Sequence, residues 1–424
     1  MKLILPTLLS VILIQASVAQ QAGQFDLSFG TDGMIMTSVD SPSQGQNLEK
    51  LLWTEDDKIL AIGWHHNSFD DPDYADLSIV RYYESGQRDS AFGNNGIARH
   101  NLGHENDMGD FIRSGIIQND GKIVCVGGTQ DVEGLAQIVI VRLLSDGSID
   151  SSFAVNGIAT FNPYNNGDEA TSVQLQTDGK ILVGYNSSAI NCGIIRLHSN
   201  GSLDLSYGAD GFAFVDHAVQ DIVIQNDGKL IATGEYNPVS PYLWSMGVTR
   251  FDENGNLDLG FGTDGFTYFD HTNLNDPDLW TTWVRSIALQ DDGKIIIGGA
   301  CENQSSSYHE IFALGRLLPD GELDPSFGTD GRALVDLPTD FERMTKVIIQ
   351  PDGKLLLSGY TAESKMIIAR THHNAVLDSS FNGVGYLMFD FGNGLSYANT
   401  AMLQPDLKLL VGGPANNAQG NYNF

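Results

Sequence analysis

The chain has 424 residues, with 23 Lys+Arg against 53 Asp+Glu for a formal charge of −30, and 42% hydrophobic content. So acidic a surface repels phosphate backbones and anionic lipid, which argues against nucleic acid and membrane surfaces as partners. The apolar content suffices for a packed core.

Taken in chain order, the first element is MKLILPTLLSVILIQASVA, residues 1–19. One basic residue, an apolar run from Leu3 to Ile14 and small Ser17 and Ala19 before Gln20 read as a cleaved secretory signal. The run is too short to span a bilayer, and no later segment is apolar for long enough to do so. Export to the cell exterior or surface is the expectation, with residues 20–424 as the mature domain.

FDLSFGTDG follows from Phe25 and recurs as RDSAFGNNG, IDSSFAVNG, LDLSYGADG, LDLGFGTDG, LDPSFGTDG and LDSSFNGVG. The copy at Leu257–Gly265 contains GFGTDG, a formal match to the dinucleotide fingerprint Gly-x-Gly-x-x-Gly. That fingerprint needs a helix to start on its glycines. Here the following FTYFDH alternates like a strand, and the first Gly is Ser or Ala in all six siblings. The motif is therefore structural.

Between these copies lies a second element, EDDKILAIG, NDGKIVCVGG, TDGKILVG, NDGKLIATG, DDGKIIIGG, PDGKLLLSG and PDLKLLVGG, with Lys58, Lys122, Lys180, Lys229, Lys294, Lys354 and Lys408 at the turn exit. Asp-Gly between two short apolar runs signals a hairpin, and no Ser or Thr follows the Lys as a phosphate loop would require. A third element, such as IVIVRLLSDG or FALGRLLPDG, leads into the next LDxSFG. Each unit of about 54 to 66 residues thus reads as four short strands, A to D. Seven units predict an all-β, seven-bladed β-propeller of four-stranded antiparallel blades, one monomeric domain in which the N-terminal strand closes the last blade.

Arg81, Arg142, Arg196, Arg250, Arg316 and Arg370 precede Asp89, Asp150, Asp204, Asp258, Asp324 and Asp378 by eight residues across a short turn. An even separation about a hairpin places both on one face, which predicts structural ion pairs rather than a site, since six equivalents make no special constellation. Asp26 has no such Arg; by analogy its partner would lie four residues beyond Phe424, so a sequence truncated inside the seventh unit is expected.

The run LDxSFGxDG, QxDGKIxxxG, RxxxDG resembles the delta-60 repeat family of secreted bacterial propellers, over essentially Phe25 to Phe424. The pattern departs at Ala154 and Asn382 in the SFG position and at Asp57 and Leu407 in the DGK turn. The resemblance implies an exported or surface protein of unknown function and brings no catalytic residues.

The A–B and C–D turns are tight, whereas the B–C and D–A loops vary in length and share one face, the natural place for recognition. Tyr242, Trp244, Trp280 and Trp283 in its richest loops are the candidate ligand-binding residues, suited to sugar rings or a protein partner. His65 and His66 are adjacent and point to opposite faces, and Asp70, Asp71, Asp73 and Asp76 lack a complete calcium loop. Cys125, Cys192 and Cys301 read as small buried hydrophobes. No metal site, cofactor or nucleophile motif is predicted. The leading expectation is a non-enzymatic module binding a glycan or a protein; the alternatives are a polysaccharide-active hydrolase or lyase with carboxylates near the propeller axis, and a structural surface or adhesin module.

Overall fold

The computed structural model describes residues 8–15, 22–39, 45–66, 75–102, 109–130, 133–163, 167–187, 192–237, 243–272, 274, 279–303, 309–391 and 394–415. β1 (Leu8–Gln15), β2 (Gln24–Phe25) and β3 (Met34–Thr37) come first and belong to a sheet completed only at the other end of the chain. Six blades follow. Blade one is β4 (Gln46–Trp53), β5 (Lys58–His66), β6 (Ala75–Tyr83) and β7 (Ile97–His100); blade two is β8 (Phe111–Ile117), β9 (Ile123–Gln130), β10 (Ala136–Leu143) and β11 (Ile158–Phe161). Blade three is β12 (Glu169–Leu175), β13 (Ile181–Asn186), β14 (Cys192–Leu197) and β15 (Phe212–Val215); blade four is β16 (Asp221–Ile224), β17 (Leu230–Tyr236), β18 (Ser245–Phe251) and β19 (Phe266–Phe269). Blade five is β20 (Leu279–Leu289), β21 (Ile295–Asn303), β22 (His309–Leu317) and β23 (Arg332–Val335); blade six is β24 (Glu342–Ile349), β25 (Leu355–Thr361), β26 (Met366–Thr371) and β27 (Tyr386–Phe389). β28 (Thr400–Leu403) and β29 (Leu409–Ala415) then join β1.

The expectation of seven four-stranded blades is thereby corrected to six. The remaining sheet has five strands in the order β2-β1-β29-β28, with β3 also on β1. Its physical origin is that the last unit contributes only strands A and B, and its expected strand C falls outside the described residues. The apolar, β-branched segment Leu8–Gln15, which also lies within the export signal expected from sequence, pairs with β29. The register is the blades' own: Leu13 faces Leu410, where Arg81 faces Leu60 and Arg370 faces Leu356. Leu13 thus stands at the arginine position.

The fingerprint-like stretch is a turn. Gly262, Asp264 and Gly265 have φ of +53°, +53° and +92°, and strand β19 follows. In the DGK hairpins only the Gly is left-handed, as at Gly121 (φ +79°), and Asp57 and Leu407 take that place with φ of +57° and +67°. Cores form between neighbouring sheets, so each blade's apolar face is buried by the next, as Ile296 and Phe312 of blade five are by Met344, Val347 and Leu357 of blade six. Cys125, Cys192 and Cys301 are buried there as free thiols.

Candidate functional site

Two charged systems occupy opposite parts of the ring. The outer one is built by the repeated motif. In each blade the Arg Nε lies 2.8 to 2.9 Å from the Asp: Arg81 to Asp89, Arg142 to Asp150, Arg196 to Asp204, Arg250 to Asp258, Arg316 to Asp324 and Arg370 to Asp378. The motif's Ser caps the same carboxylate, as Ser206 Oγ does Asp204 at 2.6 Å, and its aromatic residue lies under the guanidinium, as Tyr207 does under Arg196 at 4.5 Å. The turn-exit Lys adds a second cation, from Lys58 at 3.1 Å to Asp89 to Lys354 at 3.1 Å to Asp378. Burial opposes ionisation of Asp89, yet the Ala91 N–H, Lys58, Tyr83 and the charge of Arg81 outweigh it and bring the carboxyl down to about 2. Asp26 has Lys408 at 2.9 Å and, among the described residues, no arginine.

The inner system lines the ring axis. The innermost strands β4, β8, β12, β16, β20, β24 and β28 adjoin one another around a funnel of about 760 Å³. Strict alternation along these strands would turn consecutive residues to opposite faces. The register instead shifts by one residue at Glu49, Arg113, Thr171, Arg285 and Thr345. Such a bulge turns two successive side chains the same way, so Glu49 and Lys50 both line the funnel, as do Thr345 and Lys346. The bulge brings the inner backbone against strand B, and a Cβ on Gly63 or Gly299 would stand 1.8 or 1.7 Å from the carbonyl oxygen of Asn47 or Trp283. The last Gly of DGKIxxxG is there for that approach.

Around the rim, Arg113 links Glu169 at 2.5 Å and Glu49 at 3.3 Å; Arg285 meets Glu235 at 2.9 Å; Arg343 holds Glu310 through two nitrogens. Glu49 also accepts from Asn47 Nδ2 at 2.7 Å and Trp64 Nε1 at 3.1 Å, and burial raises its carboxyl despite Arg113. Deeper, Lys346 Nζ lies 2.9 Å from Asp221, whose other oxygen accepts from Ser172 Oγ at 3.0 Å. Burial disfavours the Asp221 charge, but Lys346 and Lys50 together hold it ionised below its usual range. Lys50, half-buried, makes no hydrogen bond or ion pair among the described residues; burial and then the like charge of Lys346 push its ammonium down to about 8, against the pull of Asp221. Thirteen of the 23 basic residues serve the outer network, and five of the other ten (Lys50, Arg113, Arg285, Arg343 and Lys346) line the funnel. Two ammonium groups sharing one carboxylate leave the funnel floor short of negative charge, in a protein otherwise strongly acidic. Such a floor attracts an anion.

Of the loop aromatics predicted from sequence, Trp244 and Trp283 do not line the funnel. Trp244 and Trp283 are half-buried and pack on each other, ring centroids 6.1 Å apart. Trp280 contributes its backbone to β20, and Tyr242 lies outside the described residues. His65 is buried with Nδ1 2.5 Å from Ser78 Oγ, whereas Asp70, Asp71 and Asp73 lie outside the described residues. No helix of the described residues is long and apolar enough to cross a membrane.

Residues 118–153, 176–207, 225–261 and 290–327 match the family described as Domain of unknown function (DUF5122) beta-propeller. The delta-60 name is not among the matches; the β-propeller family of unknown function is. No curated protein matches the sequence. Among solved structures, the polysaccharide lyase Uly1 is 10% identical over 97% of this chain and 98% of its own, with a TM-score of 0.50. A virginiamycin B lyase from Staphylococcus aureus is 12% identical over 87% and 96%, with a TM-score of 0.47. At these identities the likeness shows the fold alone.

Proposed function

We propose that the protein is a binding module whose axial funnel takes an anionic ligand, with a carboxylate-bearing saccharide as the leading class. The observation that carries this reading is the floor: Lys50, with no hydrogen bond or ion pair among the described residues, beside a Lys346–Asp221 pair. A ligand carboxylate entering there would supply the missing countercharge, and the Arg/Glu pairs and amides of the rim offer donors and acceptors for hydroxyls. The rim opens toward the face of the variable D–A and B–C loops, because each inner strand starts from a D–A loop. Export of the module rests on its N-terminal sequence.

Calorimetric titration with a short oligogalacturonate and with an uncharged oligosaccharide of equal length tests the reading. Saturable binding of the first, at least tenfold weaker for the second and at least tenfold weakened by Lys346→Met, is the expected result. Equal affinity for both sugars, or an affinity that ignores Lys346, would refute it. One observation favours a second, enzymatic reading. An amine held near 8 is partly unprotonated at neutral pH and is therefore competent as a base. New unsaturated ends appearing during the titration would establish elimination instead of binding alone.

A further inference from the structure

A second cluster of ligating atoms lies between blades five and six, off the axis. His309 opens β22, Asp336 follows β23 directly, and Glu342 opens β24. One ring nitrogen of His309 and one carboxylate oxygen from each acid all lie within 4.8 Å of one another. Glu342 is 0% exposed, and among the described residues its Oε2 has no hydrogen-bond partner; neither has the buried Nε2 of His309. A buried polar atom normally has a protein or solvent partner, and here two potential ligand atoms of one cluster await theirs from outside the chain.

The position of Glu342 has an ordinary duty, and that duty does not account for Oε2. Three residues ahead of the bulge, other blades use a buried polar side chain to anchor the preceding D–A loop: Gln46 accepts from the Val39 N–H at 3.2 Å, Asp110 from Leu102 at 2.5 Å, and Thr282 from His271 at 3.3 Å. Glu342 does the same through Oε1, which takes the Thr339 hydroxyl at 2.5 Å, and so has a whole oxygen left over. His309 is the added piece. Seven residues ahead of the ladder arginine, the other blades carry Tyr74, Leu135, Ala189, Leu243 and Glu363.

Charge points the same way. No ion pair to Asp336 or Glu342 is formed among the described residues, and the neighbouring Arg343 is already engaged by Glu310. The pocket therefore lacks a cation of its own.

We infer that His309, Asp336 and Glu342 form a binding site for a first-row transition-metal dication, Zn²⁺ foremost. An imidazole nitrogen with two carboxylates suits Zn²⁺, whereas Ca²⁺ and Mg²⁺ favour oxygen alone. Tetrahedral Zn²⁺ with bonds of about 2.0 to 2.2 Å sets its ligand atoms roughly 3.4 Å apart, so the three side chains close on the ion by about an ångström. Asp336 is exposed and marks the entry side, and three protein ligands leave a fourth position for water or a substrate atom.

The test is equilibrium dialysis of the metal-stripped full chain against Zn²⁺, with the visible spectrum of the Co²⁺ form as a second readout. We expect one tight equivalent, a Co²⁺ spectrum of low coordination number, and affinity reduced at least tenfold in both His309→Ala and Glu342→Gln. Glu342→Gln retains the side-chain oxygen for Thr339, and circular dichroism would verify that both variants fold. Absence of a tight equivalent would overturn the inference. So would an equivalent that survives both substitutions within twofold, which is adventitious binding to an acidic surface. Equal competition by Ca²⁺ or Mg²⁺ would overturn the choice of metal.

Discussion

Replacing Lys50 by Met should make the protein more stable while weakening it as a binder. In the native funnel the Lys50 ammonium sits near 8 instead of 10.5, because burial and Lys346 both disfavour its charge. Each unit of displacement corresponds to about 1.4 kcal/mol, so the charged amine costs the folded state about 3 kcal/mol at neutral pH. Water in the funnel screens part of this, and about 2 kcal/mol is a fair expectation. Met keeps the length of the stem, in a funnel that Leu52 and Met402 also line. The sign with pH follows from proton binding. Between about 8 and 10.5 the unfolded chain holds the proton that the folded chain has lost, so wild-type stability gains from this group as pH rises through that window. The cost is fully present below pH 8, and Met removes it there. Urea unfolding at pH 7 should therefore show Lys50→Met more stable by about 2 kcal/mol, with the difference largely gone by pH 10.5. A variant that is less stable at pH 7, or a difference independent of pH, would mean that Lys50 is compensated, and the argument for an anion at the floor would fall with it.

Two further predictions concern the ring itself. Asp324→Ala strands a guanidinium only 4% exposed, which should cost about 2 to 4 kcal/mol in chemical denaturation, whereas Asp26→Ala, whose basic partner among the described residues is the more accessible Lys408, should cost about 1 kcal/mol. Equal losses would show that the arginine adds nothing to the pair. Leu407→Gly should stabilise the protein by about 0.5 to 1 kcal/mol, since Leu407 occupies a left-handed turn position that its six siblings fill with Gly or Asp; a loss of stability by the same denaturation assay would contradict the strain.

The outer network was readable because it repeats. A separation of eight between Arg and Asp, six times over, points to one hairpin register, and the pairing of Arg196 with Asp204 is what that register allows. The funnel was not readable for two physical reasons. Alternation assigns Glu49 and Lys50 to opposite faces, and only a bulge, unmarked by any residue type on its own strand, brings them to the same one. Lys346 and Asp221 are 125 residues apart in sequence and meet because the ring closes, a condition no local pattern encodes. The sole trace lay in strand B, where the recurrent Gly reports a close approach without saying from which side. The metal-ligating cluster was missed on similar grounds, since His309, Asp336 and Glu342 come from three different strand ends. Counting units also misled the blade number: seven LDxSFG motifs exist, but β1 rather than a seventh strand C completes the last sheet.

The ladder arginines do one thing more than pair with their own aspartates. A second nitrogen of five of the six reaches a main-chain carbonyl of the following blade, Arg81 to Ser145, Arg142 to Ser199, Arg196 to Glu253, Arg250 to Pro319 and Arg316 to His373, whereas that of Arg370, which precedes the last sheet, turns to Ser380 of its own blade. Mechanically these contacts form a hoop, each link resisting the sliding of one wedge past the next. The hoop has a defined opening, where Leu13 stands in place of an arginine. Under tension, or during thermal breathing, that seam is where the ring should part first, giving a toroid with a latch instead of a uniform annulus.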